Sequence, residues 1–125
     1  MINQPSAKNL LRWFNPIKRQ PGTWAFILNR ITALGLTLYL GLHLFMLGKL
    51  AQGPEAYDAF IKLAKTPVII FGELLVIAAG IIHGMNGIRI TATSFGIGVR
   101  RQRELFILTM VIAIPLILFF AWRMF

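Results

Sequence analysis

The chain has 125 residues, of which 57% are hydrophobic and 14% are charged. A domain this small has no interior that could bury so many apolar side chains, so the composition excludes an ordinary soluble fold and indicates a membrane protein. The formal net charge is +9, but the basic residues lie in short clusters between long apolar runs, as membrane proteins distribute them. Nucleic acid is therefore not an expected partner, and the absence of cysteine excludes disulfides and Cys-ligated metals.

Residues 1–22 form a tail that carries basic and apolar side chains but no acid. This mixture predicts an amphipathic piece lying on the cytoplasmic surface of a membrane. Pro21 and Gly22 are expected to end it. Because the tail has no apolar core ahead of Trp24, a cleaved signal peptide is not expected.

Three apolar runs predict three transmembrane helices, since about 20 apolar residues span the hydrocarbon core. The first helix is expected at about residues 24–50, the second at about 67–89 and the third at about 104–123. Residues 55–65 place apolar side chains on one side at helical spacing, which predicts a short interfacial helix. Pro115 predicts a kink in the third span. The expected fold is all-α, an integral membrane protein forming a single domain, residues 1–125.

The distribution of Lys and Arg predicts the orientation of these spans. The tail and the loop before the third span are basic, the latter through Arg100, Arg101 and Arg103. The loop between the first two spans mixes lysines with acids. Because basic loops stay in the cytoplasm, the N-terminus is expected there and the C-terminus outside. The predicted location is a prokaryotic cytoplasmic (inner) membrane, with several passes.

Polar residues inside the spans fall into two layers. Arg30 lies roughly 9 Å into the first span, and His83 lies roughly 9 Å from the cytoplasmic end of the second, at 1.5 Å rise per residue. The two residues therefore share a layer with Asn29. By the same count, His43 and Glu73 form a second layer towards the outer face.

Ionisable residues inside a membrane are functional candidates because burying them is expensive. Structural alternatives remain for each of them. Arg30 can extend to the cytoplasmic interface, and a neutral His43 can form a hydrogen bond with Glu73. Gly80 and Gly84 have the spacing of a helix-packing surface as well.

His83 is flanked by small residues, Gly80, Gly84 and Gly87, which leave room for a large flat group against that face of the helix. A haem is the obvious candidate. A b-type haem takes two neutral imidazoles from opposite sides, and a covalent c-type haem is excluded by the lack of cysteine. His83 and His43 differ in depth by well over ~10 Å, so they cannot bind one iron. Each needs a histidine from another chain, which predicts an obligate hetero-oligomer.

Two segments carry a family resemblance. Residues 24–32 (WAFILNRIT) and 83–89 (HGMNGIR) resemble the cytochrome b membrane anchors of succinate dehydrogenase, which is respiratory complex II. The family patterns are close to S-x-L-H-R-x-[ST]-G in the first helix and H-x-x-x-G-[IV]-R in the second. The order of elements also matches, so the resemblance covers most of residues 17–103. Phe26 replaces the serine of the pattern, and Asn29 replaces its histidine.

The resemblance implies roles for particular residues. His83 stands where the family has its haem b ligand, and Arg30 stands where the family's arginine lies near the quinone and a haem propionate. Quinone contacts are expected from Arg30, Asn29 and Trp24. His43 fits the second haem ligand of two-haem members, so one or two haems are expected, each shared with a partner subunit. The metal-ligating candidates are thus His83 and His43.

The resemblance also implies a function and partners. The expected protein is the membrane-anchor cytochrome b subunit of a succinate:quinone oxidoreductase, which catalyses nothing alone. Its expected partners are a second membrane-anchor subunit that completes a haem-binding helical bundle, an iron–sulfur subunit, a flavoprotein subunit, quinone and the lipid bilayer. The alternatives are an anchor of a quinol:fumarate reductase, a small proton-coupled transporter using Glu73, and a structural anchor whose histidines bind nothing.

Overall fold

The computed structural model describes residues 20–125. All regular structure in this range is helical, and the all-α fold class is confirmed. The helices are α1 (Pro21–Leu47), α2 (Pro54–Ala64), α3 (Pro67–Ser94) and α4 (Gln102–Met124), with 3-10 turns at Leu50–Gln52 and Val99–Arg101. In the described range α1, α3 and α4 are long and apolar enough to cross a membrane. The predicted amphipathic tail lies outside the described residues, except at its last positions.

α1 begins earlier than the sequence predicts. Pro21 was expected to end the tail, but it opens the helix instead. Proline suits this position because its missing N–H would have no partner in the first turn of a helix, and its φ is already helical. α1 ends at Leu47, and the chain continues as the 3-10 turn Leu50–Gln52 rather than as α-helix.

α3 is longer than the sequence predicts and ends at Ser94 rather than at Arg89. The stop signal is Gly96, which has a φ of 81°. The Gly96 N–H donates to the Thr93 carbonyl at 3.0 Å, and the Ile97 N–H donates to the Ala92 carbonyl at 2.9 Å. This pair of bonds is a Schellman motif, which satisfies the last carbonyls of a helix by means of a left-handed glycine.

A tight turn then leads into α4. Gly98 has a φ of 69°, and a Cβ atom at this position would lie 2.6 Å from Cδ1 of Leu105. The backbone conformation favours glycine here, and any larger residue would also have to displace the end of the Leu105 side chain. The sequence predicts a kink at Pro115, and α4 continues through that residue as a single helix.

α3 is the central helix, since it packs against both α1 and α4, which contact each other less. His83 of α3 contacts Asn29 of α1, and Asn86, further along α3, contacts Ala25, which comes earlier in α1. The two helices are therefore antiparallel. The buried residues of the described range are few: Ala25, Thr32, Asn86, Phe106, Thr109 and Ala113. Most large apolar side chains point outward, which is expected where lipid or a partner helix, rather than water, covers them.

Candidate functional site

His83 is tied to α1 through one nitrogen of its ring. The Nδ1 atom lies 3.2 Å from the Asn29 carbonyl oxygen and 3.1 Å from Oγ1 of Thr32. The Thr32 hydroxyl itself donates to the Leu28 carbonyl at 2.7 Å. The helices therefore bring His83 into the layer of Asn29 and Arg30 that counting along the sequence predicts.

These contacts fix the tautomer of His83. A carbonyl oxygen only accepts hydrogen bonds, and the hydroxyl proton of Thr32 is already directed at a carbonyl of its own helix. Both neighbours therefore act as acceptors, and Nδ1 carries the proton. In a neutral imidazole the lone pair then lies on Nε2, the nitrogen on the opposite side of the ring. A ring held through Nδ1–H in this way is the usual arrangement of a metal-ligating histidine.

Asn86 forms a second link between α3 and α1, one turn further along. Its Nδ2 donates to the Ala25 carbonyl at 3.2 Å, and its Oδ1 accepts from Nε of Arg89 at 2.8 Å. Asn86 is the largest fully buried side chain of the described range, with 1% of its surface exposed. Because a buried amide needs partners for both its ends, this residue fixes the position of α1 against α3 and the position of Arg89.

A cleft of about 440 Å³ opens beside these residues, where α1 and α4 begin and α3 approaches its end. Its lining consists of Gly22, Phe26, Asn29, Arg30, Asn86, Arg89, Ile90 and Gln102. The Arg30 guanidinium lies over the ring of Phe26, 4.4 Å from its centroid. This stacking leaves the N–H groups at the edge of the guanidinium available to a ligand. The cleft is hereafter called the arginine cleft.

Asn29 contributes to the site in two ways. Its main-chain oxygen accepts from His83, and its side chain lines the arginine cleft. Within residues 20–125 the side-chain oxygen Oδ1 is buried and has no hydrogen-bond partner. A buried acceptor without a donor is costly, so Asn29 is a polar side chain that the described residues leave unsatisfied.

The glycine-flanked face of His83 is open. A Cβ atom added to Gly84 or Gly87 would meet nothing within 4 Å, and one added to Gly80 would meet a single atom of Leu36, at 4.0 Å. Within the described part of the chain these glycines are therefore not packed tightly against another helix. Space for a large group next to His83 is present.

His43 and Glu73 lie in a separate apolar cleft of about 630 Å³ between α1, α2 and α3. His43 is exposed, and its ring stacks on Tyr39, with 5.4 Å between the ring centroids. Its Nδ1 lies 3.5 Å from the Tyr39 hydroxyl, and within residues 20–125 no hydrogen bond joins it to Glu73. The His43–Glu73 pair considered from the sequence is thus not formed, although both residues line one cleft; that this layer faces outward stays a prediction.

Comparison with known proteins gives the family. The profile described as "Succinate dehydrogenase/Fumarate reductase transmembrane subunit" matches residues 4–122, which is nearly the whole chain. The chain belongs to this family. It is therefore a membrane-anchor subunit of the succinate dehydrogenase/fumarate reductase type, and the transporter alternative based on Glu73 is not favoured.

Two relatives illustrate the similarity of this anchor subunit to other members. It is 32% identical over 84 residues to the succinate dehydrogenase 2 membrane subunit SdhC of Mycobacterium tuberculosis, and the match covers 66% of this chain but only 62% of that relative. It is 27% identical over 92 residues to the succinate dehydrogenase hydrophobic membrane anchor subunit of Halobacterium salinarum, covering 73% of this chain and 71% of that protein.

The anchor subunit thus assembles part of the predicted site and adds residues that sequence reasoning missed. His83, Asn29 and Arg30 come together, whereas Trp24 is exposed in the first turn of α1 and does not line the arginine cleft. Missing from the predicted set were Thr32, Asn86 and Arg89. A usable signal existed for Asn86 and Arg89, because they follow His83 at successive steps of three and so lie on adjoining parts of one helix face.

Proposed function

We propose that this chain is the cytochrome b anchor of a succinate:quinone oxidoreductase and that Nε2 of His83 is an axial ligand of a b-type haem. The observation that carries this proposal is the pair of acceptors at Nδ1. The Asn29 carbonyl and the Thr32 hydroxyl hold the proton on Nδ1 and leave the lone pair on Nε2. When bound, such a haem supplies a one-electron redox centre inside the membrane.

The residues around His83 fit a haem. The open surface at Gly84 and Gly87 leaves space for a macrocycle. Within residues 20–125 no cluster of three or more His, Cys, Asp or Glu side chains occurs, so this layer offers the single imidazole of His83. His83 would hold the haem from this chain, and a residue of the other membrane-anchor subunit would hold it from the opposite side, which would make the site a shared one.

Arg30 and Asn29 are proposed to bind the quinone from the arginine cleft. The edge of the stacked Arg30 guanidinium donates hydrogen bonds, and a guanidinium stabilises the negative charge that develops on a quinone oxygen during reduction. Asn29 lines the same cleft and is proposed as a second polar contact of the quinone. Trp24 borders the membrane surface near the start of α1 and is proposed as a more distant contact.

The proposal includes the assembly and its orientation. The N-terminus and the Arg100–Arg103 segment lie on the cytoplasmic side of a prokaryotic membrane, following the distribution of basic residues. The iron–sulfur subunit and the flavoprotein dock on this side and deliver electrons from succinate. The relatives named above are succinate dehydrogenase subunits, which favours quinone reduction over fumarate reduction.

Replacement of His83 by Ala tests the haem proposal. We expect the reduced-minus-oxidised spectrum of the assembled complex to lose the b-type signal of this layer, because alanine offers no ligand. Met85→Ala, on the same helix, serves as a control that keeps the signal. Copurification of the partner subunits establishes that the variant assembles. An undiminished signal in an assembled His83→Ala complex would overturn the proposal.

A further inference from the structure

The hydroxyl of Thr32 is used differently from other threonine hydroxyls of the spans. Thr37 and Thr109 each donate to a carbonyl of their own helix, at 2.8 Å in both cases. Thr32 makes the same kind of bond to the Leu28 carbonyl, at 2.7 Å, but its oxygen also lies 3.1 Å from Nδ1 of His83 on α3. The side chain is buried, with 7% of its surface exposed. Of these three hydroxyls, the one on Thr32 is therefore the one that links two helices.

Three polar atoms meet at this contact in a triangle with nearly equal sides. Nδ1 of His83 lies 3.1 Å from Oγ1 of Thr32 and 3.2 Å from the Asn29 carbonyl oxygen, and these two oxygens are 3.1 Å apart. The shorter bond of the Thr32 hydroxyl, 2.7 Å, goes to the Leu28 carbonyl, which leaves a lone pair of Oγ1 for the imidazole N–H. A hydroxyl that already donates is a stronger acceptor, because hydrogen bonds in a chain polarise one another.

The two acceptors have separable effects on His83. The Asn29 oxygen belongs to the main chain, and alone it keeps the proton on Nδ1, since a carbonyl cannot face the lone pair of the ring. Thr32 adds a second acceptor, which draws the Nδ1 proton further from the ring and makes Nε2 more basic. Two acceptors also confine the direction of the N–H bond, and with it the plane of the ring. The side chain of Thr32 is thus the part of this contact that a substitution can remove.

We propose that Thr32 is a positioning residue that acts through His83, and that its hydroxyl fixes the plane of the imidazole and lowers the reduction potential of the haem iron bound at Nε2. This inference rests on the proposed function. A more basic Nε2 donates more electron density to the iron, which stabilises the oxidised form of the one-electron couple. Loss of the hydroxyl raises the potential but leaves the ligand in place.

The test uses variants of the assembled complex that separate the hydroxyl from the volume of the side chain. Thr32→Val keeps the shape and lacks the hydroxyl, whereas Thr32→Ser keeps the hydroxyl and lacks the methyl group. Thr32→Ala adds no bulk and decides in place of the valine variant if that variant does not assemble. Thr37→Val is the matched control, because the Thr37 hydroxyl also donates within α1 but is exposed.

The first measurement is a redox titration of each complex, followed by haem absorption, with His83→Ala identifying the haem of this layer. Thr32→Val and Thr32→Ala should retain that haem at a higher potential. Loss of one hydrogen bond corresponds to about a fivefold change in the ratio of reduced to oxidised haem at a fixed potential, which is about 40 mV at ~59 mV per tenfold change. Thr32→Ser and Thr37→Val should keep the wild-type potential.

Electron paramagnetic resonance of the oxidised complex gives a second readout, because the g-values of a low-spin ferric haem depend on the planes of its axial imidazoles. Thr32→Val should shift or broaden these signals, and Thr32→Ser should restore them. A wild-type potential with unchanged g-values in Thr32→Val or Thr32→Ala overturns the proposal. A serine variant that behaves like the valine variant also overturns it, since the hydroxyl is then not the cause. Failure of the proposed function looks different, because His83→Ala then keeps every haem signal of the wild type.

Discussion

Asn29 contacts His83 through its main chain and not through its side chain. The family pattern has a histidine before the arginine, and this chain has Asn29 there. The bond to His83 uses the main-chain oxygen of Asn29, which every residue type supplies. Orientation of the imidazole therefore survives a change of side chain at this position. The other departure, Phe26, removes a hydroxyl but provides the ring on which Arg30 lies.

The quinone proposal is tested by Arg30→Ala. We expect quinone reductase activity of the complex to fall by about tenfold or more, the effect of losing a hydrogen bond from a charged donor. Succinate oxidation with an artificial soluble dye should stay near wild type, because the dye takes electrons before they reach the membrane. Arg123→Ala is the matched control. Equal rates for Arg30→Ala and wild type in both assays would mean that Arg30 only extends to the interface.

Helical geometry explains which site residues could be predicted from the sequence. Rise per residue was sufficient to place Arg30, Asn29 and His83 in one layer. It could not reveal that His83 would bind a main-chain carbonyl, or that Thr32 would lie beside it, because those contacts depend on how α1 and α3 rotate against each other. Roles for His43 and Trp24 stay predictions, since haem and quinone contacts depend on atoms from outside this chain.

The residues at which the helices end were harder to predict than the presence of the helices. Apolar length fixes a membrane span to within several residues, but the end depends on a local signal. α3 continued beyond Arg89 because residues 90–94 are compatible with a helix and because the stop signal, Gly96, comes later. The Thr93 and Ser94 hydroxyls both donate to the Ile90 carbonyl, at 2.9 Å each, so these polar residues are accommodated within the last turn.

Replacing the two turn glycines by alanine, one at a time, distinguishes the stability cost of a left-handed backbone from the cost of a steric contact. Gly96 and Gly98 both have positive φ, but only at Gly98 does an added Cβ meet a neighbour, Leu105, at 2.6 Å. Gly96→Ala should cost roughly 1 to 2 kcal/mol of stability, the penalty for a left-handed alanine. Gly98→Ala should cost more, because Leu105 must move. The comparison is made by thermal unfolding of the complex in detergent. Equal Tm values for the two variants would show that the Leu105 contact adds nothing.

On the scale of the whole molecule, the chain presents apolar side chains on most of its surface and buries few residues. Several polar side chains of the spans line two separate clefts, the arginine cleft and the cleft that contains His43 and Glu73, called the outer cleft below. Each layer contains one histidine of this chain. A haem that takes two histidines, in either layer, would therefore need one of them from a second subunit. The number of haems per complex then shows whether one layer or both layers bind haem.

Measurement of the haem-to-protein ratio decides the role of His43. If His43 ligates a second haem, the intact complex holds two haems, and His43→Ala reduces the number to one because alanine supplies no ligand. Tyr39→Phe is the matched control: it removes the hydroxyl beside Nδ1 but keeps the ring stacked on the imidazole. One haem that survives His43→Ala would make His43 a structural residue of the outer cleft.

The hydrogen bonds between α1 and α3 also bear on biogenesis. His83 and Asn86 both reach main-chain oxygens of α1 within the same chain, so neither bond waits for a cofactor or a partner. Polar bonds between membrane helices favour their association once both are inserted. The hairpin of α1 and α3 can accordingly form from this chain alone, with the imidazole of His83 already held in its orientation. If His83 binds a haem as proposed, the haem would enter a site whose first ligand is oriented before the cofactor arrives.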